Sequence, residues 1–144
     1  MIQECVICKD PSGDVLYQDA LCRVVLVGGD EGRAFPGFCR VILNRHVSEM
    51  SDLSLTEQRH LMDTVLLVER VVRDVQQPDK MNLASLGNVV PHVHWHVIPR
   101  WNDDSHFPDP IWAMAQRKGK SRPTVDGVSL RKILQARLGP EGST

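Results

Sequence analysis

The sequence predicts an α+β fold: a mainly antiparallel sheet covered on one face by one long helix, with a short helix near the C-terminus. Two observations carry that expectation. Strand-like stretches lie before and after a single long helical stripe, in the order strands, helix, strands. The last two strand-like stretches are close enough for a hairpin, which joins antiparallel neighbours, whereas parallel neighbours need a long crossover.

The elements follow in order. Cys5-Val6-Ile7-Cys8 opens the chain, and Lys9 to Asp14 reads as a turn. A C-x-x-C at this place, outside any strand–helix junction, favours metal over redox chemistry. Residues 15–18 and 22–27 read as two strands around Asp19-Ala20, and Gly28 to Arg33 as a loop whose glycine spacing does not make a P-loop. Phe35-Pro36-Gly37-Phe38 is a tight turn, and 39–43 is the next strand, closed by Asn44-Arg45-His46.

Ser54 with Glu57 makes a capping box for the long helix. Leu61, Val65, Val68, Val72 and Val75 form its apolar stripe, and Pro78 stops it. His60 on this helix reads as a surface histidine. Residues 81–85 form a strand that leads through Leu86-Gly87-Asn88 into a histidine-rich strand ended by Pro99. Beyond Arg100 the pattern becomes irregular, packing through Phe107, Ile111 and Trp112. A last helix over 130–138 is expected, capped by Ser129, with Ile133 and Leu134 inward and Gly139-Pro140 ending it. The expected organisation is one domain over 1–144, with a core of about 5–100 and an irregular extension of about 101–144.

Composition narrows the function classes. The chain has 144 residues, is 42% hydrophobic and 24% charged, and carries a net charge of −1. That argues against an extended nucleic-acid surface, though not against one nucleotide in a pocket. No apolar run approaches the ~20 residues of a membrane span. Glu4 and Asp10 stand where a signal peptide needs a basic and then an apolar stretch, so a cytoplasmic location is expected. Cys22 and Cys39, in strands, read as small core residues.

The chemistry concentrates in His92-Val93-His94-Trp95-His96-Val97, which holds three of the six histidines. Strand alternation puts the three imidazoles on one face and Val93, Trp95 and Val97 on the other. Lone polar decoration would be met by Ser, Thr or Lys. Two readings stay open on these residues alone: a metal site, or nucleophilic catalysis by one imidazole that its neighbours tune.

The triad, preceded by Asn82 and Asn88, resembles the histidine triad (HIT) superfamily of nucleotide hydrolases and transferases. Phe35 to Arg40, His92 to Arg100 and His106-Phe107-Pro108 together resemble its bacterial diadenosine tetraphosphate hydrolase-like subgroup. The resemblance implies a HIT-like fold and a homodimer whose two sheets join edge to edge. It implies that His94 attacks the α-phosphorus of a nucleotide, giving a nucleotidyl-histidine that water hydrolyses. His96 would contact the phosphate, and the backbone carbonyl of His92 would hold the His94 tautomer. Asn88 stands where the family usually has Gln, Asn82 near its phosphate-side amide, and Asp30 where a residue takes the ribose hydroxyls. Two positions depart from the family: Phe38 replaces a histidine after the turn, and Val89 replaces a hydroxyl residue ahead of the triad.

Some bacterial relatives bind structural zinc through an N-terminal C-x-x-C, a histidine ending the third strand and the first triad histidine. The matching residues are Cys5, Cys8, His46 and His92, a closed site with no place for water. The implied activity is nucleotidyl hydrolysis of a purine nucleotide or dinucleoside polyphosphate, with Mg2+ accompanying the substrate phosphates. Adenosine phosphoramidate hydrolysis, and a nucleotide-binding module with little turnover, are the alternatives.

Overall fold

Five strands form one sheet in the order β1-β2-β3-β5-β4 in the computed structural model, which describes residues 5–10 and 13–139. The strands are β1 Asp14–Gln18, β2 Cys22–Leu26, β3 Cys39–Leu43, β4 Lys80–Ala84 and β5 His94–Arg100. All four pairings are antiparallel, as the sequence predicts. The helices are α1 Val6–Lys9, α2 Gly29–Ala34, α3 Leu55–Gln76 and α4 Gly127–Leu138. Pro11, Ser12 and Pro140, which the sequence places in turns, lie outside the described residues.

The β1–β2 turn is held by Asp19. Its Oδ1 accepts from the backbone N–H of Leu21 and of Cys22, both at 2.9 Å, a local competitor for backbone donors typical of Asp in turns. Its Oδ2 accepts from His60 Nε2 at 2.7 Å, so the helix histidine ties the hairpin to α3 rather than only decorating a surface. The sheet face toward α3 carries Val24, Val41, Leu43, Val93 and Val97, packed on Leu61, Val65, Val68 and Val72. Trp95 shares that face but is only half-buried. Cys22 and Cys39 are fully buried, and burial pushes both thiols up to about 12, as suits inert core residues.

Helix α3 begins at the expected capping box: Ser54 Oγ accepts from Glu57 N at 3.2 Å, and Glu57 Oε1 accepts from Ser54 N at 2.9 Å. Val75 departs from the expected stripe and is exposed, while Val71 is buried. A seven-residue spacing drifts by roughly 20° per repeat on a straight helix, so Leu61, Val68 and Val75 cannot all face one sheet. The helix ends at Gln77, which has positive φ, ahead of Pro78.

Three other expectations are corrected. Gly28 to Arg33 is not a loop, since 29–34 form α2. A Cβ at Gly32 would lie 2.2 Å from the carbonyl oxygen of Val27, so glycine is demanded by the close approach of the link between β2 and α2, not by looseness. Pro99 does not end β5 but lies inside it, opposite Met81. The Arg100 carbonyl accepts from Asp79 on the β4 side, so alternation turns the Pro99 nitrogen toward β3, whose pairing has already stopped at Cys39–Val97. Helix α4 starts earlier than expected, with Asp126 as its cap accepting from Val128 N at 3.0 Å; Ser129 sits within the first turn, and Leu130 with Leu134 faces inward.

The irregular stretch after β5 is organised by a buried ion pair. Asp104 accepts from Arg100 Nε at 2.8 Å and Nη2 at 3.0 Å, and from the backbone N–H of Trp101, His106 and Phe107. Arg100 also donates to Asn82 Oδ1 at 2.8 Å, and its guanidinium lies over the rings of Phe35 and Phe107. Ile111 packs inward as expected, but Trp112 is 48% exposed.

Burial alone would raise the Asp104 carboxyl, yet Arg100 and the backbone donors override it and hold it at about 2. A folded-state value below the unfolded one contributes stability above the unfolded pKa, lost as pH falls through the folded one. Wild-type melting temperature should therefore fall steeply between about pH 4 and pH 2. Asp104→Asn should cost roughly 3 kcal/mol or more at neutral pH, because Arg100 is left buried without its counter-charge. Thermal melts of both proteins across that range check this; equal stability at pH 7 would contradict it.

Candidate active site and metal cluster

His94 and His96 project from the sheet face opposite α3, as alternation along β5 requires. Their rings meet edge to face at 4.9 Å. Nδ1 of His94 lies 2.6 Å from the backbone carbonyl of His92. A carbonyl can only accept, so that nitrogen carries the hydrogen and Nε2 keeps its lone pair. The strand itself is steadied at this point by Ser85, whose hydroxyl donates to the His94 carbonyl at 2.8 Å.

Both rings line a pocket of about 350 Å³ with Leu86, Gly87, Asn88, Val89, Val90 and Trp112. The wall is mostly apolar, and burial pushes both imidazoles down from their ordinary values. For His94 the hydrogen bond to His92 opposes that shift and Arg40 adds to it. His96 falls to about 3, with His94 and then Arg40 adding to burial. His96 Nδ1 is buried with no hydrogen-bond partner among the described residues. Aromatic rings pack on the imidazole instead, centroid to centroid at 4.9 Å for Trp112 and 5.8 Å for Phe38.

His92 turns its ring away from the pocket. Nε2 lies 2.6 Å from the Leu43 carbonyl, so it donates there, and Nδ1 faces Cys5 Sγ at 3.5 Å and Cys8 Sγ at 3.6 Å. His46 Nδ1 lies 3.5 Å from Cys8 Sγ. The ligand atoms of Cys5, Cys8, His46 and His92 all lie within 4.8 Å of one another, and no disulfide joins the cysteines. Two thiols and two imidazoles at this spacing suit a tetrahedral ion with bonds of about 2.0–2.3 Å. The hydrogen bond from His92 to Leu43 fixes the tautomer that leaves Nδ1 as a donor atom. The residues therefore form a possible Cys/His metal-binding cluster.

The other expected site residues scatter. Asn88 lines the pocket. Asn82 is turned to Arg100. Asp30, in the first turn of α2, is ion-paired with Arg33 and almost fully exposed. The geometry also brings in residues the sequence reading missed. Arg40 on β3 pairs in register with His96, and a lone charge inside an otherwise apolar strand was a usable signal. Trp112 reaches the pocket from the irregular segment, where no periodicity could announce it.

A model of the HIT domain matches residues 10–103. AP-4-A phosphorylase of Mycobacterium tuberculosis is 35% identical over 78 residues, 50% of this chain and 40% of that protein. Bis(5'-nucleosyl)-tetraphosphatase (asymmetrical) of Schizosaccharomyces pombe is 31% identical over 87 residues, 57% of this chain and 48% of that one. The matched stretch thus spans less than half the length of these curated relatives. Among solved structures, a histidine triad (HIT) protein from Sinorhizobium meliloti 1021 superposes with a TM-score of 0.66 at 26% identity, covering 89% of this chain and 88% of that one.

The neutral His96 is open to direct observation. Its imidazole NMR shifts should stay on the neutral side from pH 8 to about pH 5, since its folded pKa is about 3. The unfolded chain takes up this proton near pH 6.5, so the residue withdraws stability as pH falls from there toward about 3. A titration midpoint above about pH 5.5 in the folded protein would contradict the described burial.

Proposed function

The chain belongs to the HIT domain family, and on that premise we propose that it is a nucleotidyl hydrolase acting on a purine nucleotide or dinucleoside polyphosphate. The observation that carries this reading is the His94 geometry: one ring nitrogen donates to the His92 carbonyl, and the other faces a pocket. In the proposed reaction His94 Nε2 attacks the α-phosphorus, and the bond to the leaving phosphate oxygen breaks with its electron pair. Water then attacks the nucleotidyl-histidine, the N–P bond breaks, and a nucleoside monophosphate leaves with the imidazole restored. A neutral imidazole suits this two-step path because it is both nucleophile and leaving group. The matched relatives, an AP-4-A phosphorylase and a bis(5'-nucleosyl)-tetraphosphatase, support the substrate class.

In this reading His96 contacts the phosphate, Asn88 meets the substrate from the pocket wall, and Asp30 takes the ribose hydroxyls. Asn82 acts at one remove, through Arg100. Cys5, Cys8, His46 and His92 would hold zinc, whose chemistry there is structural: a closed site contributes to folding and does not activate water. Among the described residues the outer edge of β4 pairs with no other strand, which supports an edge-to-edge homodimer.

His94→Ala should abolish hydrolysis of diadenosine polyphosphates while AMP binding persists, because a nucleophile acts chiefly in the transition state. Retention of more than about a tenth of wild-type kcat, under ~1.4 kcal/mol in barrier, would sink the assignment.

Chelation, or Cys8→Ser, should lower the melting temperature by several degrees while folded protein keeps most of its turnover. Folded, metal-free protein that is inert until zinc is returned would instead make the cluster catalytic. Light scattering checks the dimer: a solution mass near one chain of 16.2 kDa would exclude it.

A further inference from the structure

Arg40 is a charged side chain beside the triad that the mechanism above leaves idle. Its β3 neighbours Cys39, Val41, Ile42 and Leu43 are all fully buried, and its own side chain is only 19% exposed. Register places it directly across from His96, and alternation puts it on the sheet face that His94 and His96 share. Its guanidinium lies 5.3 Å from the centroid of Phe38, whose ring stands 5.8 Å from that of His96. On the far side Nη2 reaches Glu31 Oε1 at 3.4 Å, and that is its only hydrogen bond among the described residues. A guanidinium has five N–H donors, so four remain unspent. An ion pair this long, to a half-exposed carboxylate, is worth little and yields readily to a better anion.

We propose that Arg40 binds the nucleotide's α-phosphate: its guanidinium leaves Glu31 and donates to a non-bridging oxygen of the phosphoryl group that His94 attacks. The inference rests on the nucleotidyl-hydrolase reading. A phosphoryl group seated at His94 with one oxygen toward His96 lies on Arg40's side of the sheet, one strand away. In the pocket beside it the side chains of Leu86, Val89 and Val90 offer an anion nothing, and the donors there, the Asn88 amide and the Trp112 indole, carry no charge. Imidazoles in such a setting favour the neutral form, whereas a guanidinium stays charged at every working pH. Arg40 is therefore the fixed positive charge of the site, and it acts where charge gathers on the phosphoryl oxygens. Phe38 supports it: a ring face holds the cation near His96 without competing for its donors. Glu31 neutralises the guanidinium until substrate arrives.

Calorimetric titration of the full chain with AMP and with adenosine tests this. Arg40→Gln should weaken AMP binding about tenfold or more, the worth of one charge-assisted hydrogen bond, and leave adenosine binding unchanged. Glu31→Gln, on the surface of α2, should tighten AMP binding about threefold by removing a competing carboxylate. AMP affinity equal to wild type in Arg40→Gln, or equal losses for AMP and adenosine, would overturn the assignment. Should Arg40→Gln not fold, an AMP affinity in Glu31→Gln that is unchanged or weaker overturns it too. The two readings fail separately. A wild type that hydrolyses no nucleotide, yet binds AMP through Arg40, ends the hydrolase reading and keeps this one. A wild type that hydrolyses nucleotides, with AMP affinity indifferent to Arg40, does the reverse.

Discussion

The hydrogen bond from His94 Nδ1 to the His92 carbonyl is the constraint on which the candidate site depends. It can aim His94 only if the backbone at His92 is itself fixed. That residue is pinned by its own side chain, through Leu43 on one nitrogen and the Cys5–Cys8–His46 cluster on the other. The N-terminal C-x-x-C thus bears on a ring it never touches. Three histidines alternate along one stretch of chain, yet each has a different second partner. A carbonyl and sulfurs hold His92, a carbonyl alone holds His94, and only rings surround His96. The partners, not the residue type, separate a thiol-facing imidazole from one facing a pocket.

The other end of β5 is fixed by a different device. Arg100 closes the strand, and Asp104 accepts from its guanidinium and from three backbone N–H groups beyond it. Such a buried pair is not strong evidence for stability, since desolvating two charges costs about what their attraction returns. What it supplies is position. It locks an irregular segment against the sheet, and that segment carries Ile111 into a small core with Phe35 and Phe38 and leaves Trp112 against His96. The triad lies between two anchors, one at each end of the strand that bears it.

Much of this was legible in the sequence. The mainly antiparallel sheet, the capping box of α3, the face on which the imidazoles lie and the four residues of the possible metal-binding cluster all follow from alternation, capping chemistry and spacing or from the HIT resemblance. The misreadings have separate physical causes. Gly28 to Arg33 looked like a loop because glycine disfavours helix, but the close approach of the Val27 carbonyl, in the link leading into α2, requires glycine inside that helix. Pro99 looked like a strand end because a missing N–H matters only where a neighbour strand would accept it, and the sequence does not say where β3 stops. The roles of Arg40 and Trp112 depend on cross-strand register and on a fold-back of irregular chain. Neither leaves a local periodicity.

Phe38 connects these departures. In most HIT proteins a histidine follows this turn, and a ring nitrogen there can offer a hydrogen bond to the triad. Phenylalanine offers none, and His96 Nδ1 is left buried among Phe38, Trp112 and His94. An unmet buried polar atom costs about 1–3 kcal/mol, a violation that folded proteins tolerate chiefly where a site needs it. The same ring that withholds the hydrogen bond gives Arg40 a face to rest on. With phenylalanine where most relatives have a titratable histidine, position 38 adds no pH-dependent charge to the site's wall, and the guanidinium of Arg40 beside it is a permanent one. For the proposed reaction such a site would keep its imidazoles neutral, as a nucleophile needs, without giving up a positive potential for the phosphate.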